Sequence, residues 1–350
     1  MNTFLKPATY LLLGLGLLSA TYAADGDFKL TGSFQAQAVK ALYNNHSDND
    51  FDTFWLRANF GAKYSSPDFD ATLDFRMWSQ AFYGKGTEYF SPRIYFGNYK
   101  WALNDQKFNL KFGHWETDWS VGGNFGTYLD KKIDGSTSYH GFISRTGPQD
   151  GFELGWKAGP STLNALVGTT YDSKDSNSLV PYNRGYLRFE DNLKISALDL
   201  TLAYRVNALD PMLKPAVITH RADVKASYTI LPKVKVYGEW AYITTGKNSD
   251  VGAAAVKAGN AVATDCGYAQ DSDYMPFFVG VDVPTAGILS NLMFEVEYLK
   301  DRDELVADAD ELAWSVALTK SLGRTKVQFS VFSDSKIDKP ATGIRVTTSL

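Results

Sequence analysis

Four histidines, His46, His114, His140 and His220, are where acid–base or metal chemistry would start, and none lies in a nucleophile or metal-ligand motif. His140, with Ser138 and Asp134 close in sequence, is the only local grouping a hydrolase could use, and it reads as a polar loop. The single cysteine, Cys266, excludes an internal disulfide and any CxxC metal site. Acidic runs at Asp48-Asn49-Asp50-Phe51-Asp52 and Asp301-Arg302-Asp303-Glu304 offer oxygen ligands without EF-hand spacing, and read as solvated loops. The sequence therefore predicts no catalytic residue, no resident metal and no cofactor. What it offers is fixed charge and aromatic surface. Arg57, Asp74, Arg76 and Lys111 lie inside alternating stretches, while Glu116, Asp118, Asp130 and Asp134 share one long polar segment with Trp115 and Trp119.

The stretches that carry these residues have period two. Phe54, Leu56, Ala58, Phe60, Ala62 and Tyr64 alternate with Thr53, Trp55, Arg57, Asn59, Gly61 and Lys63, the pattern of a half-buried strand. After Ser65-Ser66-Pro67-Asp68 it resumes with Phe69, Ala71, Leu73, Phe75 and Met77. Similar ladders run through Leu154/Trp156, Leu163/Ala165/Val167, Leu198 to Tyr204, Val234 to Trp240, Phe277 to Val283, Leu292 to Tyr298, Leu312 to Leu318 and Val327 to Val331. A soluble β-sandwich shows the same alternation, so the connections must decide. Short ones are expected near 65–68, 104–106, 159–161, 191–194, 231–233, 284–290 and 321–324. Long polar ones are expected near 41–50, 82–92, 115–150, 171–184, 207–217, 244–274, 301–310 and 334–341. Short and long alternate throughout, which a sandwich has no reason to do. The reading is an all-β, transmembrane, antiparallel up-and-down barrel of about sixteen strands. Eighteen is the nearest competitor, with Ser138–Ser144 and part of 244–274 as the extra pair.

Composition agrees. A net charge of −4 lacks the basic excess of a nucleic-acid binder. Mean hydropathy of −0.23 excludes a polytopic helical membrane protein, and 14% aromatics argue against disorder. Residues 1–23 read as a signal peptide, with Lys6, the apolar run Tyr10 to Leu18, and small residues before a cleavage point after Ala23. That leaves 24–350 as the barrel.

A signal peptide, about sixteen amphipathic strands and a long third external loop resemble the general bacterial porins. The ending Ile344-Arg345-Val346-Thr347-Thr348-Ser349-Leu350 resembles the C-terminal strand that the barrel-assembly machinery recognises, with Leu350 where Phe is commoner. Gly122-Gly123-Asn124-Phe125-Gly126 matches the porin third-loop motif only loosely. The resemblance implies an outer-membrane location in a Gram-negative-type bacterium, a homotrimer, and passive diffusion of small hydrophilic solutes through a water-filled channel. A sugar-selective channel with Trp55, Trp78, Trp115 and Trp119 as an aromatic track is the runner-up, and an outer-membrane enzyme or adhesin a third class.

Centring the first hairpin on Ser66-Pro67 places Arg57 opposite Arg76, Lys63 opposite Asp70 and Trp55 opposite Trp78, all on the inward parity. Similar centring pairs Arg188 with Asp199 and Lys225 with Glu239. A third loop folded into the lumen would set Glu116, Asp118, Asp130 and Asp134 against Arg57, Arg76 and Lys111, giving a transverse field across the constriction. His114 and His220 fall on the outward parity.

Overall fold

The computed structural model describes residues 26–41, 53–82, 85–115, 131–133, 136–138, 149–172, 182–206, 219–231, 233–245, 272–285, 287–301, 311–334 and 340–349. The proposed signal peptide, Glu116, Asp118, Trp119, Asp130 and Asp134 lie outside them, as do the side chains of Trp55 and Trp78.

The chain climbs and descends as β1 (Asp27–Ala41), β2 (Thr53–Ser65), β3 (Phe69–Phe82), β4 (Lys85–Leu103) and β5 (Gln106–Trp115). Two short strands, β6 (Lys131–Ile133) and β7 (Ser136–Ser138), pair only with each other. The wall continues as β8 (Gln149–Ala158), β9 (Ser161–Asp172), β10 (Tyr182–Ile195), β11 (Leu198–Val206), β12 (Thr219–Leu231) and β13 (Val234–Thr245). It ends with β14 (Ser272–Pro284), β15 (Asn291–Asp301), β16 (Glu311–Leu322), β17 (Thr325–Asp334) and β18 (Ala341–Ser349). Each wall strand pairs antiparallel with its chain neighbour, and β1 closes on β18 from Ser33↔Ser349 to Ala41↔Ala341. The closed barrel has sixteen strands and no free edge. The eighteen-strand alternative falls, because β5 pairs directly with β8 and β13 with β14 in a wall that closes at sixteen. Residues 139–144 and 246–271, the expected source of the extra pair, lie outside the described residues.

Alternation separates the faces. Phe34, Phe112, Phe152, Val167, Phe189, Leu202, Val279 and Phe329 are exposed on the outside, a density of apolar surface that suits lipid rather than water. Aromatic side chains form bands there. At the short-turn end Tyr99, Trp101, Phe108 and Trp156 stack in sequence at centroid distances of 5.8, 5.6 and 6.3 Å. The Trp156 indole N–H donates to Gln106 Oε1 at 2.6 Å. An apolar ring with a satisfied polar tip belongs at a membrane–water boundary.

Tight turns close one end of the barrel. Asn104 and Asp105 both take positive φ, 48° and 64°, which matches the twist of the flanking strands in a two-residue hairpin.

Three expectations need correction. Residues 191–194 are not a turn: β10 runs on to Ile195, and Ser196, at φ 55°, makes the reversal with Ala197. Residues 82–92 are not a long loop: Phe82 pairs with Lys85, so β3 and β4 form one extended hairpin. The alternation of short and long connections is therefore broken once. The β2–β3 pairing is also offset by two residues, with Ser65 opposite Asp70. The cause is a reversal of Ser66-Pro67-Asp68, closed by Ser66 N–H to Phe69 O at 2.8 Å.

Candidate functional site: the charged inner wall

The offset rearranges the expected pairs. Arg57 lies opposite Trp78, Arg76 opposite Asn59, Lys63 opposite Thr72 and Trp55 opposite Gln80. Arg57 and Arg76 become diagonal neighbours, ~7–8 Å apart rather than directly opposite, so their repulsion is weaker. Arg76 Nε donates to Asn59 Oδ1 at 3.1 Å, and Asn59 Nδ2 donates to Ser33 Oγ at 3.1 Å. Arg57 Nε donates to Gln35 Oε1 at 3.1 Å, with Nη2 on the same oxygen. Arg345 repeats the arrangement on Gln37, through Nε at 3.0 Å and Nη2 at 2.7 Å. Neutral amides thus orient these guanidinium groups.

Arg93 is an inner-wall residue that the sequence reading missed. On β4 the register shifts between Ile94, opposite Asp74, and Pro92, opposite Phe75, leaving Arg93 as the extra residue of a β-bulge. Its Nη1 lies 3.9 Å from Asp74 Oδ1. A proline within a strand was the available signal, since strands accept proline mainly at edges and bulges. Arg345, Arg57, Arg76 and Arg93 step down two residues at a time from strand to strand, and in a tilted sheet that stagger follows the circumference. Together they form an arc of positive charge on the inner wall.

Lys111 lies beyond the arc, opposite Glu153 and Asn98. Its ammonium sits 4.4 Å from the Phe96 ring centroid and 4.5 Å from that of Trp115. Trp115 is 2% exposed and packs with Leu166 and Tyr186 inside the wall.

The β10–β12 wall holds a second basic group. Arg188 lies opposite Arg205, and Arg205 opposite Arg221. The expected Arg188–Asp199 pair does not form, because Asp199 faces Lys194 beside the relocated turn. Carboxylates compensate the row: Arg188 pairs with Glu190, and Arg221 Nε meets Asp223 Oδ1 and Oδ2 at 2.9 and 2.8 Å. Arg221 Nη2 reaches Glu239 Oε1 at 3.5 Å, and Arg205 sits over the Tyr186 ring, Cζ 3.8 Å from the centroid. Lys225 faces Glu239 as expected. Further round, Tyr237 OH donates to Glu295 Oε1 at 2.8 Å.

His114 and His220 lie on the outer face, as their parity predicts. His114 Nδ1 is 2.8 Å from Asp150 Oδ1 and stacks on Tyr95, while Tyr204 OH is 2.7 Å from His220 Nδ1. Neither joins the inner wall. Among the described residues no group of three or more His, Cys, Asp or Glu is placed to hold a metal.

No family model and no curated protein matches the chain. Solved structures do. Salmonella typhi OmpF, in a complex with daunomycin, aligns over 94% of this chain and 99% of its own at 10% identity and a TM-score of 0.63. The outer membrane channel DcaP of Acinetobacter baumannii aligns over 93% and 97% at 11% identity and 0.61. The outer membrane protein OmpT of Vibrio cholerae, in a trimer form, aligns over 93% and 100% at 12% identity and 0.58. At these identities the likeness is one of fold, and the fold is the sixteen-stranded barrel of bacterial outer-membrane porins.

Proposed function

We propose that this chain is an outer-membrane porin, a non-enzymatic channel through which small hydrophilic solutes and ions diffuse down their gradients. The observation that carries the reading is the division of one closed barrel into an apolar outer face and an inner wall bearing Arg57, Arg76, Arg93, Arg345, Asp74 and Lys111. Charge lining a closed barrel is stable when water fills the interior, and a water-filled lumen conducts.

The basic arc is the positive side of the constriction in this reading. Glu116, Asp118, Asp130 and Asp134 of the third external loop supply its negative side, and the field between them orders water and orients polar solutes. Trp55, Trp78 and Trp119 serve a sugar-selective variant of the same channel, whereas Trp115, 2% exposed beneath Lys111, offers a sugar no open ring face. Residues 1–23 direct export, the strand ending at Leu350 engages the assembly machinery, and the functional unit is a homotrimer, as the trimer form of OmpT supports. The short turns face the periplasm.

The test is planar-bilayer conductance of the purified chain. Stepwise, ohmic current supports the channel, and no current at any protein concentration overturns it. Current blocked by one sugar and not by others would favour the selective variant.

A further inference from the structure

Among the described residues of β8–β12, the outer face carries an acidic side chain, Asp191, toward the short-turn end. On β10 the odd positions Leu187, Phe189, Asp191, Leu193 and Ile195 share the outward parity, so Asp191 projects among apolar neighbours. Its row runs Leu163, Asp191, Leu202 and Val224 across β9 to β12. These residues, with Leu154, Trp156 and Phe189, line an open groove of about 600 Å³. Along the outward rows of β8–β12 the other charged side chains among the described residues, Asp150 and His220, sit at the opposite end. Asp191 accepts a hydrogen bond from Ser161 Oγ. Lys194, three residues along, has the opposite parity and lies 3.7 Å from Asp199.

A carboxylate facing lipid is expensive, and it is retained where a cation or a function compensates it. Depth decides which cation can reach it. Trp156, three residues from the turn at Gly159, ends the stacked aromatic band at the short-turn rim, and Asp191, five residues from the turn at Ser196, lies one pleat deeper. Such bands mark the headgroup level of a bilayer. Asp191 therefore sits just below the headgroup level, within reach of an ammonium headgroup, with Leu163, Leu202 and Val224 beside it to receive an acyl chain.

We propose that this groove is a binding site for an aminophospholipid, whose primary ammonium pairs with Asp191 and whose chain packs along Leu163, Leu202 and Val224. The proposal rests on the membrane reading above. Ser161 holds the carboxylate in place and leaves its second oxygen for the lipid. Charge complementarity selects the headgroup: a net-neutral phosphatidylethanolamine brings a cation, whereas phosphatidylglycerol brings only negative charge.

The test is native mass spectrometry of the full-length protein released from detergent, with phosphatidylethanolamine and phosphatidylglycerol of matched chains added in turn. Expected is a preference for phosphatidylethanolamine of about tenfold, the worth of one charge-assisted hydrogen bond. Asp191→Asn should abolish the preference, and Leu202→Gln should weaken both lipids alike. Equal retention of the two lipids by the unaltered chain would overturn the proposal. So would a preference that survives Asp191→Asn, or a second copy of the chain occupying the groove to the exclusion of lipid. Bilayer conductance of the same preparations separates the two readings: conducting barrels without lipid preference sink only this site, and non-conducting barrels sink the channel.

Discussion

Arg76 donates from Nε to Oδ1 of Asn59 at 3.1 Å, straight across the β2–β3 pair, and this contact sets Arg57 one pleat away from Arg76. Each of these arginines donates to a neutral amide, Arg57 to Gln35 and Arg345 to Gln37. An amide orients a guanidinium without neutralising it. A guanidinium paired with a carboxylate, as Arg221 is with Asp223, spends its field locally.

That distinction predicts where selectivity resides. Neutralising Arg57 and Arg76 together, as Arg57→Gln and Arg76→Gln, should shift the reversal potential toward cations. Neutralising Asp118 and Asp130 should shift it toward anions. Both shifts should shrink in 1 M salt, where the Debye length is ~3 Å. The measurement is reversal potential across a salt gradient at low and at high ionic strength. Unchanged selectivity in the arginine pair at low salt would remove those residues from the pore.

The outer face should reject charge and the inner face accept polar exchange. Phe60, 38% exposed, stacks on Phe75 and Phe90, which lie 5.4 Å apart. Phe60→Arg should cost ~2–4 kcal/mol at the bilayer midplane, less nearer the rim. Thr201, on the inner face, donates to Asn192 Oδ1 at 2.7 Å, and Thr201→Ser should cost under about 1 kcal/mol. Urea titration of barrels folded into vesicles reads both. Equal penalties would argue that the outward side is not in lipid.

Gly113 is a backbone requirement. It takes φ 128°, a conformation that side chains rarely adopt, and an added Cβ would collide with the Tyr95 carbonyl and approach Phe96 Cα to 2.8 Å. Gly113→Ala should destabilise the barrel by ~1–3 kcal/mol. It should also loosen Trp115 and His114 beyond it. Tryptophan fluorescence and the temperature of heat-induced unfolding check the two effects. Gly159, with φ 60° and open space around it, should tolerate alanine better, because only the strain remains.

Faces were legible in the sequence and offsets were not, for one physical reason. Alternation fixes which side chains point inward, but a slip of two residues preserves every face, so Arg57↔Arg76 and Arg57↔Trp78 satisfy the pattern equally. Only turn geometry removes the ambiguity. At Ser66-Pro67-Asp68 it moved the register by two residues. On β10 a readable signal existed: the outward parity changes from odd at Ile195 to even at Leu198, which locates a two-residue reversal between them. The polar run Glu190-Asp191-Asn192 has turn-like composition inside the strand. On β4 the bulge at Arg93 breaks the period, so Phe90 and Tyr95 both face outward at opposite parity and the strand reads as a loop. The sixteen-strand count survived because short turns are legible even when their centres slip.

The Arg188–Arg205–Arg221 row should behave as structure rather than as selectivity. Like charges directly opposite on adjacent strands repel, and this row persists because Glu190, Asp223 and Glu239 lie on the same face. Arg221 is 1% exposed, so its two carboxylate partners are compensated by it and not by water. Arg221→Met would leave Asp223 and Glu239 buried beside a hydrocarbon chain, and breaking a buried pair from one side costs ~3–5 kcal/mol. Adding Asp223→Leu should restore part of that loss, since removing both charges avoids the uncompensated one. Tyr186→Leu, which takes away the ring beneath Arg205, should cost less than Arg221→Met because the guanidinium keeps its charged neighbours. Unfolding midpoints for the two single variants and the double variant supply the measurement, with reversal potential recorded alongside. The expected result is a large stability loss with partial rescue and a reversal potential close to that of the unaltered channel. Full stability in Arg221→Met, or a cation shift as large as that of the Arg57 and Arg76 pair, would place this row in the conducting path instead.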